Sequence, residues 1–367
     1  MQRSQLVQDI WRAGVAAVDG YHATHEAIQT IERPDQVLAV GKAAGAMARA
    51  AAERFETVPS LVVTKDGHGH NLPAHVVVLE ASHPVPDARS LAGGRAVRET
   101  IESMKRESKL LLLVSGGASS LAEDLEPGNT LGDLAALNQR LLGEGLDIAA
   151  MNAERRKLSR IKGGGLLSFF PGKSVTVLAI SDVPGDDLGV IGSGIGSLPV
   201  SPGFTTRTSI IASNAHARDA AALAASQAGL TILANEETMH DDFLSVAARI
   251  GDRLRSMPTG VMVFGGEPTV VLPQRPGRGG RNQALALALA REIAGQPDLT
   301  VIVGGTDGTD GSTDAAGAII TGETWGEDAQ DYLDRADSGS FLDKAGALLV
   351  TGPTGTNVMD LMIAIRS

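Results

Sequence analysis

Five glycine-rich stretches carry the groups that could handle a charged small molecule. In "VGKAAGAMA" (40–48) a lysine, Lys42, follows an apolar run and opens a helical pattern. A lysine framed by glycines at a strand end reads as an anion-binding charge rather than a solvated surface group. In "VSGGASS" (114–120), Gly116 and Gly117 allow close backbone approach, and Ser115, Ser119 and Ser120 offer hydroxyls. A helix expected near Ala118 would aim its first N–H groups at the same point, the arrangement that binds phosphate. The bland alternative is a plain strand–helix turn, and the serines favour phosphate. In "SDVPGDDLGVIGSGIGS" (181–197), Asp182 stands at a strand end and is the best single candidate for a Mg²⁺ ligand or a general base. Asp186 and Asp187 read equally well as turn formers.

Two further stretches come late in the chain. "RPGRGGRNQALALALA" (275–290) concentrates Arg275, Arg278 and Arg281 just before a strong helical pattern. Arginine is unfavourable at a helix N-terminus, so an anion expected there would account for it. "GGTDGTDGSTDAAG" (304–317) carries Asp307, Asp310 and Asp314. Their spacing of three and four is not the alternate-residue spacing of a calcium-binding EF-hand loop. Asp307, nearest the strand end, is expected to face a hydroxyl or a metal-bound water, and Asp314 to act as a turn or cap residue. "FFPGKSV" (169–175) is no P-loop, because Leu167 stands where the first glycine is required and a strand follows. The histidines of "HATH" and "HGH" lack metal-ligand partners and read as solvated or structural.

The elements that must position these groups form an alternating series. Apolar runs at 37–41, 61–64, 76–81, 110–117, 175–182, 209–214 and 231–234 read as strands, with helical patterns such as 43–55 and 216–229 between them. Runs buried on both faces and joined by helices predict a doubly wound, mostly parallel (Rossmann-like) sheet. A second series, at 260–267, 281–295, 299–305 and 346–352, predicts a smaller α/β unit. The expected division is a domain over 1–235, a connecting helix over 236–259 and a C-terminal domain over 260–367. Ligands of such sheets gather at the carboxyl ends of the strands.

The whole chain sets bounds. Its 367 residues suit two domains. With 32 Lys and Arg against 43 Asp and Glu, the net charge of −11 argues against nucleic acid and anionic membrane as partners. There is no cysteine, which removes thiol chemistry and Cys-ligated metal. No apolar run approaches the about 18 residues of a membrane span, and the first twenty residues lack a signal-peptide core. A soluble cytoplasmic enzyme is the expectation. The cations, phosphate loop and acidic strand ends together suit phosphoryl transfer.

Nine motifs in order carry a family resemblance: "GKAAGAMA", "SHPVPD", "VSGGASSL", "MNAERRKLSRIKGGGL", "SDVPGDD", "GGEPTV", "GRGGRNQ", "GGTDGTDGSTDAAGA" and "GPTGTNV". They resemble the glycerate 2-kinases with a MOFRL-type C-terminal domain, whose members often carry the name hydroxypyruvate reductase. The resemblance implies ATP- and Mg²⁺-dependent phosphorylation of D-glycerate in a cleft between two α/β domains. It implies Lys42, Arg281 and Asp182 as catalytic residues. Ser115, Gly116, Gly117, Ser119, Ser120 and Lys162 would bind nucleotide phosphate, and Arg155, Arg278, Glu267 and Asp307 the substrate. Asp182 and Asp307 are the metal candidates. ATP and a small hydroxy acid are the partners, and a homodimer is compatible with the resemblance. The alternatives are a kinase of another short hydroxy acid and an NAD(P)H-dependent hydroxypyruvate reductase. This chain departs from the family in three places. It lacks a helical insertion before Asn214, has Ala284 where glutamate is usual, and has Met359 where asparagine is usual.

Overall fold

The computed structural model describes residues 2–143 and 148–367. The chain divides into two units, each with its own sheet. One comprises Asp19–Ser213 and Gly355–Asn357; the other Met1–Val18, Asn214–Thr354 and Val358–Ser367.

The first unit is built on six parallel strands: β1 (Gln36–Val40), β2 (Ser60–Lys65), β3 (Val76–Ala81), β4 (Lys109–Val114), β5 (Ser174–Ile180) and β6 (Thr205–Ala212). Their spatial order is β3-β2-β1-β4-β5-β6, so the winding reverses between β1 and β4. The run "LLLL" explains why β4 is central. Leu110, Leu112 and Val114 pack with Val97, Ile101, Leu166 and Leu167 on one face. Leu111 and Leu113, pointing to the other face, are equally inaccessible. The carboxyl ends of β1 and β4, where the order reverses, are the place such sheets bind ligands.

The second unit holds a mixed six-stranded sheet. Its members are β7 (Ile232–Glu237), β9 (Gly260–Gly266), β11 (Leu299–Gly305), β12 (Gly317–Thr321), β13 (Leu348–Leu349) and β14 (Asp360–Arg366). The order is β13-β12-β11-β14-β9-β7, with only β7 and β9 parallel. A separate two-stranded ladder joins β8 (Asp241–Asp242) to β10 (Pro268–Thr269). Alternate residues of the large sheet serve two cores. Met262, Phe264, Val301, Val303 and Met362 pack with the helices Phe243–Ser256 and Arg281–Glu292. Val261, Val263, Ile302, Ile363 and Ile365 pack with the helices Gln2–Ala17 and Asn214–Gln227, where Trp11 Nε1 donates to Leu361 O (3.1 Å).

The units do not part at 235 and 259. The 231–234 run becomes β7 of the mixed sheet, and the expected connecting helix is one of that sheet's covering helices. A short apolar run does not record which sheet accepts it; strand pairing does. Among the described residues no helix is long and apolar enough to cross a membrane.

Candidate active site

In the parallel-sheet unit, the loops after β1, β3, β4 and β5 supply the chemistry. The Lys42 backbone N–H donates to Gly116 O (2.9 Å), and Ser115 N–H to Val40 O (3.0 Å), so the two turns at the switch point are stitched together. Gly116 and Gly117 sit where side chains would not fit. A Cβ on Gly116 would lie 2.0 Å from Asp182 Oδ2 and 2.5 Å from Asn357 Nδ2. Gly117 has a left-handed φ of +82°, and a Cβ there would lie 3.0 Å from Lys42 Cγ and 3.1 Å from the His83 ring. Two adjacent glycines thus border a carboxylate and an amide on one side, a lysine and an imidazole on the other. Asn357 Nδ2 donates to Asp182 Oδ2 (3.1 Å), which orients the carboxylate.

The serines do otherwise than expected. Ser115 is fully buried and its Oγ accepts from Ala43 N–H (3.1 Å). Ser119 Oγ meets Ser193 Oγ (2.8 Å), and Ser120 Oγ donates to Gly117 O (3.4 Å). Buried Ser115 satisfies the protein's own backbone, as buried polar groups must, and the partly buried Ser119 and Ser120 bond to neighbouring protein groups around the same tight turn. The helix after the loop, Ala118–Leu121, is a single turn, too short to accumulate a sizeable dipole. Lys162 is also corrected. Its Nζ forms a buried ion pair with Glu123, whose other oxygen accepts from Ser159 Oγ (2.5 Å). That pair is internal to the protein, with both side chains buried. Arg155, on the helix Ile148–Leu158, is half-buried, and burial pulls its guanidinium below the ordinary value. Gly185 and Asp186 adopt left-handed backbone, and Asp187 Oδ1 accepts from Gly189 N–H (2.7 Å), which is the turn reading of that stretch. His68 is structural, its Nδ1 donating to Lys42 O (3.2 Å).

In the mixed-sheet unit, Arg281 begins the helix Arg281–Glu292 and is held by carboxylates. Its Nε and Nη2 donate to the two oxygens of fully buried Asp360 (2.6 and 3.1 Å), and Nη1 pairs with Glu267 Oε1 (2.5 Å). Burial lowers the guanidinium's proton affinity, but Asp360 and Glu267 outweigh it and hold Arg281 well above the ordinary value. A guanidinium has five N–H groups, so these pairings do not exhaust it. Glu267 N–H donates to His240 Nδ1 (3.3 Å), leaving Nε2–H to donate to Glu237 Oε1 (3.2 Å).

The anion expected at this helix start is the protein's own. Asp310 accepts from Asn282 N–H (3.1 Å) and Gln283 N–H (2.8 Å). Burial pushes its carboxyl up to about 6, against the pull of those two N–H groups. Asp307 Oδ1 accepts from the N–H and Oγ1 of Thr309 (3.0 Å each). Beside Gly305, Asp307 Oδ1 and Asn282 Nδ2 each lie 3.4 Å from where a Cβ would stand, so Asp307 borders the helix start. Asn282 Oδ1 is buried without a hydrogen-bond partner among the described residues. Arg278 is corrected: its guanidinium is half-exposed and paired with Asp343 (2.8 Å) on the surface. Asp314 is exposed.

Sequence reasoning missed Asn357, Asp360, His83 and the part played by Asp310. Only the "SHPVPD" and "GPTGTNV" motifs pointed near two of them. Among the described residues no three His, Cys, Asp or Glu converge as a free-standing metal site would require. A magnesium ion carried by a phosphate ligand needs only one or two protein carboxylates. Asp182, beside the Asn357 amide and the bare Gly116 backbone, fits that.

A lysine, a carboxylate and two glycines at the switch point of a doubly wound sheet define the class, a small-molecule enzyme of α/β architecture. The chain matches a domain of unknown function (DUF4147) over residues 6–226 and the MOFRL family over residues 260–360, and it belongs to the family that joins the two. A D-glycerate 2-kinase of Thermotoga maritima is 34% identical, over 98% of each chain. A glycerate 2-kinase of Pyrococcus horikoshii is also 34% identical, over 90% of this chain and 86% of that protein. A protein of Agrobacterium vitis with a provisional hydroxypyruvate-reductase name is 33% identical, over 97% of this chain and 93% of its own length. The crystal structure of a glycerate kinase from Thermotoga maritima superposes with a TM-score of 0.89 and 32% identity, covering 100% of both chains.

Proposed function

We propose that the protein phosphorylates the 2-hydroxyl of D-glycerate with ATP. The observation that carries this reading is the pair Gly116–Gly117, bordered by Asp182 on one side and Lys42 on the other where the strand order reverses. Similarity to a named D-glycerate 2-kinase over 98% of both chains supports it.

The division of labour follows from the charges. The parallel-sheet unit takes the nucleotide phosphates: backbone at Gly116 and Gly117 approaches them closely, and Lys42 neutralises charge on the transferring phosphoryl group. Asp182 would hold the Mg²⁺ that accompanies ATP, and that ion would neutralise phosphate charge. The mixed-sheet unit takes the hydroxy acid. Asp360 holds the Arg281 guanidinium in place, and being buried it stays. Glu267 is 42% exposed, so its pairing is weak and exchangeable, and the glycerate carboxylate replaces it on Nη1. Asp307, whose Oδ1 is oriented by two hydrogen bonds from Thr309, takes the 2-hydroxyl proton as that oxygen bonds to the γ-phosphorus. ADP leaves with the electron pair of the broken bond.

The reductase reading has one observation in its favour, a strand order shared with dinucleotide-binding folds. The turn after β1, however, reads Gly-Lys-Ala-Ala-Gly and lacks the pyrophosphate fingerprint. The test is a coupled ADP-release assay with D-glycerate, product NMR to locate the phosphate, and NADH oxidation with hydroxypyruvate in parallel. 2-Phosphoglycerate is the expected product. NADH oxidation without ADP release would overturn the proposal.

A further inference from the structure

The motif "SHPVPD" finds no use in the roles above, yet its histidine reaches the glycine turn. His83 lies in the connection between β3 and the helix Ala88–Glu102, which Asp87 caps through the N–H groups of Arg89 and Ser90. Asp87 also receives the Arg89 guanidinium, so the connection is anchored where it enters the helix, shortly after His83. The His83 ring turns toward the glycines. Its Nε2 comes within 3.2 Å, and Cδ2 within 3.1 Å, of the point where a Gly117 Cβ would stand, and Lys42 Cγ comes within 3.0 Å of the same point. The imidazole edge and the lysine stem thus flank one bare stretch of backbone. On the neighbouring Gly116 the corresponding position is taken by Asp182 and Asn357.

That asymmetry has a chemical reading. A phosphate lying on the glycine backbone would meet the carboxylate side through a cation, and the Lys42 side directly. A donor beside Lys42 faces the phosphate oxygens, where charge develops as the phosphoryl group leaves ADP. Both ring nitrogens of an imidazole can present N–H, and Nε2 is the one nearest the turn.

We propose that His83 is a catalytic residue that donates a hydrogen bond from Nε2 to a terminal phosphate oxygen of the nucleotide, beside Lys42. The contact is non-covalent and rests on the kinase reading above. Gly117 is then a glycine for two reasons. Its left-handed φ disfavours other residues, and a side chain would fill the space between the two donors.

The experiment compares His83→Ala and His83→Gln with the unaltered protein. Three readings are taken: steady-state kinetics with ATP and D-glycerate, calorimetric titration with ATP and Mg²⁺, and thermal melting. Glutamine can return an N–H near the position of Nε2, whereas alanine cannot. His83→Ala should lower kcat by about tenfold to a hundredfold, with melting unchanged, and His83→Gln should recover a large part of the loss. Alanine activity within twofold of the original, or equal losses in both variants accompanied by a lowered melting temperature, would overturn the assignment. If the unaltered protein turns over no D-glycerate, the kinase reading fails by itself. The titration then decides about His83: at least a tenfold weaker ATP affinity in His83→Ala upholds the phosphate contact, and unchanged affinity removes it.

Discussion

The two ends of the chemistry are built on opposite plans. Around Gly116 and Gly117, side chains are missing, and Lys42, His83 and Asp182 border bare backbone. Around Arg281, side chains are in surplus: Asp360, Glu267 and Asp310 surround one guanidinium. The first arrangement brings a lysine, an imidazole and a carboxylate against two glycines that admit no side chain. The second fixes one cation in a single orientation, with one exchangeable partner. An arginine at a helix start therefore does not by itself announce an anion ligand, because the protein can supply the anion from its own chain.

Four measurements sharpen or break that contrast, in descending order of effect. Gly116→Ala forces a methyl to within 2.0 Å of Asp182 Oδ2, so the carboxylate must move. Activity should fall by about a hundredfold or more, since small misplacements at a reacting centre carry losses of that order. Retained kcat would show that Asp182 does not need its observed position. Asp360→Asn leaves a partly buried guanidinium short of its fully buried partner. A buried pair broken on one side loses roughly 3–5 kcal/mol, and the exposure of Arg281 and its remaining Glu267 reduce this to about 2 kcal/mol. Urea unfolding measures it; an unchanged midpoint would mean that Arg281 is held by other means.

The third measurement is a pH dependence. Asp310 has its carboxyl raised from 3.8 to about 6 in the folded protein, chiefly by burial. The folded state then binds a proton that the unfolded state has released. This group's contribution is fully present below about pH 4 and is lost as pH rises through 6. Unfolding free energies between about pH 4.5 and 7.5 should decline with pH in the original protein, and less steeply in Asp310→Asn. Identical slopes would sink the assignment. The smallest effect concerns Glu267→Gln. If Glu267 only competes for Arg281, the KM for D-glycerate should fall by about two- to fivefold, with kcat little changed. A raised KM would make Glu267 a substrate contact, as the family resemblance implies.

How much of this could be read beforehand differs between the regions. Lys42, Gly116, Gly117 and Asp182 follow apolar runs that end abruptly, and a parallel sheet sends such ends to one edge. Their neighbourhood was therefore open to reading from local pattern. Ser115 and Lys162 were not: both are polar groups beside glycines, and nothing local tells a ligand-facing hydroxyl or ammonium from one that satisfies the interior. In the mixed-sheet unit, antiparallel pairing of β14 with β11 and β9 brings Asp360 to Arg281. The run that forms β14 carries no sign of that pairing, and the sequence pattern left both β12 and β14 unread.

By itself the sequence determined the alternation of buried strands and helices, the glycines at strand ends and the chain's acidic balance. These depend on periodicity and composition, which are properties of neighbouring residues. Only the tertiary structure decided which polar groups meet. Asn357 reaches Asp182 from 175 residues away, His83 comes to Gly117 from a different loop, and Asp310 caps a helix that lies well before it in the chain. The physical reason is burial. Each such group lost water on folding and had to find its partner wherever the chain's packing had brought one.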